Sequence, residues 1–271
     1  MFEKIKAENG VVYLRSSFLP CPHGFSTRIG GKSTPAHTSS LNLAFRRGDD
    51  EETVTENLAL FCEAVGVDDK KVVSLHQVHS ARVREVTNAD AGLGYHRKTD
   101  ESSDGYITTE AGLPVGVKNA DCTPVLFAWV RDGETKAVAA VHAGWRGTLA
   151  EISLEALRKL TEIGAQKSEI FAAIGPSIGG CCYEVEQDFR AEFEMKYGKD
   201  FCSAFIDESG KKDGKYFADV AKMNFWQLEN AGVPRENIDL CPLCTCCESD
   251  LFYSHRKSHG LRGTMLSLIC R

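Results

Sequence analysis

Apolar side chains recur at helical spacing in four stretches of this chain. The pattern predicts helices over residues 54–65, 149–163 and 219–230, and a less regular one over 187–197. The second stretch is framed by Thr148 and Glu151, which have the spacing of a capping box, and by Gly164 at its end. Gly66 closes the first stretch in the same way.

Shorter apolar runs between these stretches predict strands. They cover residues 71–75, 81–86, 113–118, 124–130, 136–141 and 169–174, with 251–253 and 265–269 as further candidates. Helices and strands are interspersed without a steady βαβ alternation, which favours an α+β fold with a mixed sheet over a doubly wound one. No repeat and no Pro/Ser linker divides the chain, so we expect residues 1–271 to form a single domain.

Composition narrows the class of protein. The 271 residues are 42% apolar and 26% charged, which excludes a disordered or fibrous chain. The net charge of −6, with no basic stripe, argues against a nucleic-acid partner. No apolar run approaches the roughly 18–20 residues needed to span a membrane. The first residues lack a secretory signal, so the 11 cysteines indicate a cytoplasmic protein with reduced thiols rather than a disulfide framework.

A predicted hairpin brings a thiol to an imidazole. Asp132-Gly133 between two strand-like runs is a strong hairpin signal, and a two-residue loop pairs Arg131 with Glu134. Counting back along both strands places Cys122 within one residue of facing His142. This pair could be a nucleophile with its base, two ligands of a metal, or a buried pair opposed by chance.

A third donor would favour a metal. His76 and His79 lie between two predicted strands and point to opposite faces of an extended segment, so only one can reach a given site. His79 is nearer the start of the next strand. A set of His79, Cys122 and His142 leaves one position of a tetrahedral zinc open, as catalytic zinc sites do.

Five motifs in order then give the chain a family resemblance. They are residues 76–79 (HQVH), 120–124 (ADCTP), 142–147 (HAGWRG), 174–185 (IGPSIGGCCYEV) and 252–256 (FYSHR). Residues 24–28 (GFSTR), 30–31 (GG) and 40–43 (SLNL) resemble an N-terminal signature of the same family. Together they resemble the YfiH-like family, also called the laccase-domain or polyphenol oxidase family, from about residue 20 to residue 270.

The resemblance implies a four-layer α/β/β/α fold with mixed sheets. It implies one zinc ion per chain on His79, Cys122 and His142, copper being the less favoured metal. It also implies phosphorolysis of purine nucleosides (adenosine, inosine, guanosine or methylthioadenosine), with accompanying adenosine deamination. Older family names imply copper-dependent oxidation of phenols, but none of the 8 histidines forms the His-x-His pairs typical of multinuclear copper.

Phosphorolysis requires groups that hold phosphate, and arginine is the natural donor. The candidates are Arg28, Arg146, Arg256 and Arg262. Arg28 is also expected to act in catalysis, because it precedes a Gly-Gly loop in a turn-rich segment. Asn42 of the N-terminal signature is a further candidate for substrate binding. Residues 256–263 lack the acidic residue that family members often carry after the FYSHR-type motif.

Other interpretations remain open from sequence alone. One is a hydrolase of amides or esters that uses Cys122 and His142, and another is a metal-stabilised binding module. The sequence does not define the oligomeric state. Cys241, Cys244, Cys246 and Cys247 form a dense cluster that could bind a second metal with Cys181 and Cys182. Adjacent cysteines rarely bind one ion together, so reduced thiols are the favoured interpretation.

Overall fold

The structure, a computed structural model, describes residues 1–207 and 215–271. Its helices are α1 (Glu51–Val65), α2 (Trp145–Leu149), α3 (Ile152–Glu162), α4 (Gln187–Tyr197), α5 (Lys199–Phe205) and α6 (Val220–Asn230). Its strands are β1 (Phe2–Lys6), β2 (Val12–Ser16), β3 (His23–Ser26), β4 (Val83–Glu85), β5 (Gly105–Thr108), β6 (Val115–Asn119), β7 (Thr123–Arg131), β8 (Glu134–Ala143), β9 (Ile170–Ile174), β10 (Glu184–Val185), β11 (Ile206–Asp207), β12 (Tyr216–Ala218), β13 (Ile238–Leu240) and β14 (Met265–Ile269). Within the described ranges, no helix is both long and apolar enough to cross a bilayer.

Two large sheets pack face to face. One has the antiparallel order β1-β2-β3-β14-β6, and the other has the order β13-β9-β7-β8-β5-β4 with parallel pairs at both ends. Side chains such as Phe25 and Val117 from the first sheet meet Leu126 and Ala140 from the second in one buried cluster. Alternate residues of each strand point to opposite faces, so both sheets also present an outer apolar face.

Helices cover those outer faces. Leu58 and Phe61 of α1 pack on the five-stranded sheet. Ile152 and Leu160 of α3, with Leu228 of α6, pack on the six-stranded sheet. The order is therefore helix, sheet, sheet, helix, which confirms the predicted α+β class and the four α/β/β/α layers. The small sheet β10-β12-β11 packs with α4 and α5 around an aromatic cluster at one end.

The second predicted helix is broken. It divides into α2 and α3 because Glu151 adopts the left-handed conformation with φ 64°. The predicted capping box is therefore wrong. The Thr148 hydroxyl accepts a hydrogen bond from the Asn224 amide at 2.8 Å instead of capping α3, and a buried polar link between α2 and α6 results.

The strand predictions over 71–75 and 251–253 are also wrong. Residues 69–71 form a short 3₁₀ turn, and only Val73 makes an isolated bridge to the sheet. The N–H groups of Leu251 and Phe252 donate to the Glu248 carbonyl in a turn, and Tyr253 N donates to the Met265 sulfur. The sequence did not predict α5, β1, β2, β3, β5, β13 or the small sheet, because these elements are short or lack a regular apolar pattern.

Candidate functional site

The β7–β8 hairpin forms as the Asp-Gly signal predicts. Asp132 and Gly133 have φ values of 55° and 77°, as a tight hairpin turn requires, and Arg131 pairs with Glu134. A bulge at residues 129–130 then shifts the register by one residue, so Pro124 faces His142. Cys122 consequently lies two residues beyond the position opposite His142, in the loop before β7, rather than within one residue of it.

That loop still brings the thiol to the imidazoles. The ligand atoms of His79, Cys122 and His142 lie within 4.8 Å of one another. The Cys122 Sγ is 3.9 Å from His79 Nε2, and the two imidazole rings are 4.9 Å apart at 76°. His142 is buried and His79 is exposed, so the group opens to solvent on one side. Two imidazoles and one thiol, with an open side, are a donor set that suits a catalytic zinc ion.

Gly144 packs against the side chains of His79, Cys122 and His142 and leaves no space for a side chain of its own. A Cβ on Gly144 would lie 3.1 Å from the His79 ring and 3.3 Å from the Cys122 Sγ. Both distances are shorter than ordinary carbon contacts, so a side chain here would press directly on two of the three donors. The close packing of the site against the start of α2 therefore explains why the HAGWRG motif has a glycine at this position.

A buried carboxylate organises the site from behind. Asp104 accepts hydrogen bonds from His142 Nδ1 at 3.0 Å and from the backbone N–H groups of Val78, His79 and Ser80 at 2.8–3.1 Å. The Ser80 hydroxyl is a further donor at 2.8 Å. The bond to His142 fixes the ring so that Nε2 faces Cys122, and the backbone bonds hold His79 in its left-handed conformation, with φ 62°. Sequence reasoning missed Asp104, which belongs to no motif that we recognised.

Electrostatics favour an ionised thiol at this site. Burial raises the pKa of Cys122, but the neighbouring His142 and His79 outweigh burial and lower the pKa to about 6. Burial lowers the pKa of His142, but Cys122 and the Asp104 carboxylate outweigh it and raise the pKa to about 9. A thiolate beside imidazoles can bind a metal or act as a nucleophile, so this feature alone is compatible with both chemistries.

Asp121 connects Cys122 to two other loops. Its carboxylate accepts a hydrogen bond from the Thr245 hydroxyl at 2.6 Å and another from the backbone N–H of Arg256 at 2.7 Å. Its own carbonyl accepts from Ile178 N at 2.9 Å, and its φ is 93°. Loops around residues 178, 245 and 256 therefore meet directly beside the thiol.

Among the predicted arginines, Arg262 has a buried donor group without a partner among the described residues. Its Nη1 bonds to the Thr264 hydroxyl at 2.7 Å and to the Gly263 carbonyl at 3.1 Å. Its Nε is buried and has no hydrogen-bond partner among the described residues. Burial and repulsion from Arg47 lower its pKa to about 10, whereas Asp121 and Cys122 act in the opposite direction. An anion between these cations would supply the missing acceptor and relieve the repulsion.

Arg256 and Arg146 both interact electrostatically with Tyr183. Arg256 donates to the Glu184 carbonyl at 2.8 Å, and its guanidinium lies 5.3 Å from the Tyr183 ring centre. Arg146 is exposed and stacks on Trp145 at 4.2 Å. Burial and the charge of Cys122 raise the pKa of Tyr183 to about 12, although both arginines oppose that rise. Tyr183 therefore shares the electrostatic environment of the thiol, and sequence reasoning missed it, as it missed Arg47.

Arg28 and Asn42 hold the N-terminal loops. Arg28 donates to the carbonyls of Ser39 and Ser249, both at 3.0 Å, and stacks on Tyr253 at 4.8 Å. Asn42 is completely buried, and its amide oxygen accepts from Thr264 N at 3.0 Å. At least two of the five N–H groups of Arg28 and the amide oxygen of Asn42 are thus engaged within the protein, which favours a structural role. The substrate role expected of each residue stays a prediction.

Comparison with known proteins gives a consistent family. The family model described as multi-copper polyphenol oxidoreductase laccase matches residues 22–271. Purine nucleoside phosphorylase YlmD of Geobacillus stearothermophilus is 34% identical over 251 residues, which cover 92% of this chain and 89% of that protein. A purine nucleoside phosphorylase of Streptomyces coelicolor is 40% identical over 234 residues, or 86% of this chain and 89% of that protein.

A solved structure shows the same fold. The crystal structure of Bacillus licheniformis hypothetical protein YfiH superposes with a TM-score of 0.84 at 32% identity, and covers 92% of this chain and 91% of that one. The family match spans most of the chain and includes every predicted metal ligand. The chain is therefore a member of the laccase-like family that includes the YfiH and YlmD proteins.

Proposed function

We propose that this protein is a zinc-dependent purine nucleoside phosphorylase with accompanying adenosine deaminase activity. One observation carries the proposal: Arg262, whose buried Nε has no partner among the described residues, interacts with the charges of both Arg47 and Cys122, and Cys122 belongs to the group with His79 and His142. Phosphorolysis needs both an electrophilic centre and a place for an anion. The names of the G. stearothermophilus and S. coelicolor relatives support the phosphorylase activity.

The donor set suits zinc and argues against a multinuclear copper centre. Zinc accepts imidazole and thiolate together, whereas multinuclear copper is held mainly by imidazoles. Among the described residues, His79 and His142 are the only histidines in a group that could bind a metal. A zinc ion bound there would act as a Lewis acid at the open side of the site.

The chain's own residues would hold and orient the substrates. Arg262 would bind phosphate through its unpartnered Nε, assisted by the charge of Arg47. A phosphate oxygen would then form a bond to C1′ of the nucleoside as the bond from C1′ to N9 of the purine breaks. The purine would take up a proton from solvent and leave as the free base, together with ribose 1-phosphate. Tyr183 and Arg256 offer flat faces against which a purine can stack.

In this proposal residues 1–271 form one catalytic domain, in a reducing compartment such as the cytoplasm, since all eleven cysteines are free.

The test is turnover by protein of known metal content. The purified protein is incubated with a panel of purine nucleosides with and without phosphate, and free base, ribose 1-phosphate and deaminated product are measured. Base release that requires phosphate supports the phosphorylase, and inosine formed from adenosine supports the deaminase. Equal base release without phosphate, or no turnover of any nucleoside, would refute the proposal.

A variant separates this mechanism from a thiol hydrolase. A hydrolase needs only Cys122 and His142, so it would tolerate His79→Ala. In the zinc mechanism His79 is one of three protein ligands, and its loss should abolish phosphorolysis. His76→Ala is the matched control, because His76 is an exposed histidine of the same motif that lies outside the ligand group. Retained activity in His79→Ala would favour the hydrolase.

A further inference from the structure

A second group of thiols lies away from His79 and His142. The sulfurs of Cys181, Cys182, Cys244 and Cys247 all lie within 4.8 Å of one another. The Cys247 Sγ is 3.5 Å from the Cys181 Sγ and 3.4 Å from the Cys182 Sγ. None of these cysteines forms a disulfide.

Two loops bring these sulfurs together. One loop follows β9 and the other follows β13, and the two strands pair in parallel, so both loops leave the same edge of the sheet. Ser177 bridges to Cys244, and Thr245 N donates to the Ser177 carbonyl at 3.0 Å. The backbone of both loops is therefore fixed by hydrogen bonds before any ligand is added.

The sulfur positions match a tetrahedral thiolate site. Four sulfurs about 2.3 Å from a zinc ion lie about 3.8 Å from one another, which falls between the shortest separations here and the 4.8 Å limit of the group. The Cys244 Sγ accepts a hydrogen bond from Gly179 N at 3.2 Å, and also from the N–H groups of Cys246 and Cys247. Backbone N–H groups directed at one sulfur stabilise a thiolate there.

The adjacent cysteines are compatible with this arrangement because they lie in a turn. In a strand, Cys181 and Cys182 would point to opposite faces. Here the N–H groups of Cys182 and Tyr183 both donate to the Gly179 carbonyl, at 2.9 and 3.0 Å, so the chain curls tightly. Both sulfurs consequently face Cys247, which removes the main objection that the sequence raises against a shared ion.

We propose that Cys181, Cys182, Cys244 and Cys247 bind a second zinc ion as a closed tetrathiolate site. With four protein ligands the ion has no open position, so its role is structural. The thiols release their protons to solvent as the ion binds. The proposal is independent of the function proposed above, because it uses no residue of the first site.

The second ion would fix loops that line the first site. Thr245, next to Cys244, donates to Asp121 beside Cys122. The Cys182 carbonyl accepts from Arg256 at 3.4 Å. A metal that joins the two loops would therefore hold Arg256 and Asp121 in position without contacting the substrate.

The test is metal content in matched variants of the full chain. Wild-type protein prepared under reducing conditions with zinc should carry about two ions, and Cys247→Ser about one. Cys246→Ser, the adjacent thiol outside the group, should keep about two ions and is the control. If the first site fails to bind zinc, wild type retains about one ion and Cys247→Ser loses it, so the two proposals can fail separately.

Cobalt and alkylation identify the ligands. In His79→Ala the remaining ion, replaced by cobalt, should show the intense near-ultraviolet charge transfer of a tetrathiolate. Cys181 and Cys247 are exposed in the structure, so wild-type protein offers a check that needs no variant to fold. Both thiols should resist alkylation until a chelator is added. Equal zinc in Cys247→Ser and wild type, immediate alkylation of both thiols, or a disulfide between them would overturn the proposal.

Discussion

Replacing Asp104 by asparagine removes the acceptor that orders the first site while leaving its shape unchanged. One oxygen accepts from His79 N and His142 Nδ1, and the other accepts from Val78 N, Ser80 N and the Ser80 hydroxyl. An amide nitrogen at either position would face at least two N–H donors. Asp104 is completely buried, so water cannot replace the lost acceptor.

Two estimates give the magnitude. Leaving two buried donors without an acceptor costs about 1–3 kcal/mol each, or about 2–6 kcal/mol together. Burial raises the pKa of Asp104, but bonds from His142 and Ser80 outweigh it and lower the pKa from 3.8 to about 2, which corresponds to about 2 kcal/mol. We therefore expect Asp104→Asn to lower the free energy of unfolding by about 3 kcal/mol, and to weaken zinc binding about 10–100-fold.

The assay combines urea unfolding of the metal-free protein with a zinc competition titration. Asp100→Asn is the matched control, because it makes the same chemical change at an exposed position nearby. Because folding lowers the pKa of Asp104, its ionised carboxylate stabilises the fold at pH values above the ordinary pKa of 3.8. That stabilisation is lost as the pH falls toward about 2. The gap between wild type and Asp104→Asn should therefore narrow between pH 3.8 and about 2. Zinc affinity within twofold of wild type, with unchanged unfolding, would refute the reasoning.

Four further substitutions probe other contacts. His79→Ala should lose zinc from the first site, measured by elemental analysis, while His76→Ala keeps it. Arg262→Gln removes the cation with the unpartnered Nε and should raise the KM for phosphate at least tenfold, with a smaller effect on the KM for nucleoside. Arg28→Lys should leave the phosphate KM unchanged but destabilise the fold by about 1–3 kcal/mol in urea, because two carbonyls lose a donor. Gly144→Ala should weaken zinc binding in the same titration, since its methyl group meets two ligands.

The sequence predicted the candidate metal ligands because their signals are local. An Asp-Gly turn and two apolar runs are enough to bring Cys122 near His142, and a one-residue bulge moved the register without separating them. The loop before β7 accommodates that shift, so Cys122 still lies near the imidazoles. The position of His79 could be inferred only from its place between strands, and its left-handed backbone was not foreseen.

The residues that the sequence did not reveal act across long separations. Asp104 lies 38 residues from His142 and is joined to it by pairing between β5 and β8. The local sequence of residues 102–105 (SSDG) carries no pattern that would mark Asp104 as the residue that orients His142. Conversely, Arg28 resembled a phosphate ligand because of its glycine-rich loop. Its three-dimensional partners are backbone carbonyls that no local pattern discloses.

The cysteines show most clearly that the fold, and not the amino-acid composition, determines the chemical role of a side chain. Burial raises the pKa of Cys241 to about 12 and that of Cys270 to about 11, so these thiols remain protonated at neutral pH. Cys122 is held among imidazoles and has its pKa lowered to about 6. Cys244 is held instead by backbone N–H groups and faces other sulfurs. One residue type thus serves the core, the candidate catalytic site and a candidate structural metal site, and the neighbouring donors determine which role each thiol can take.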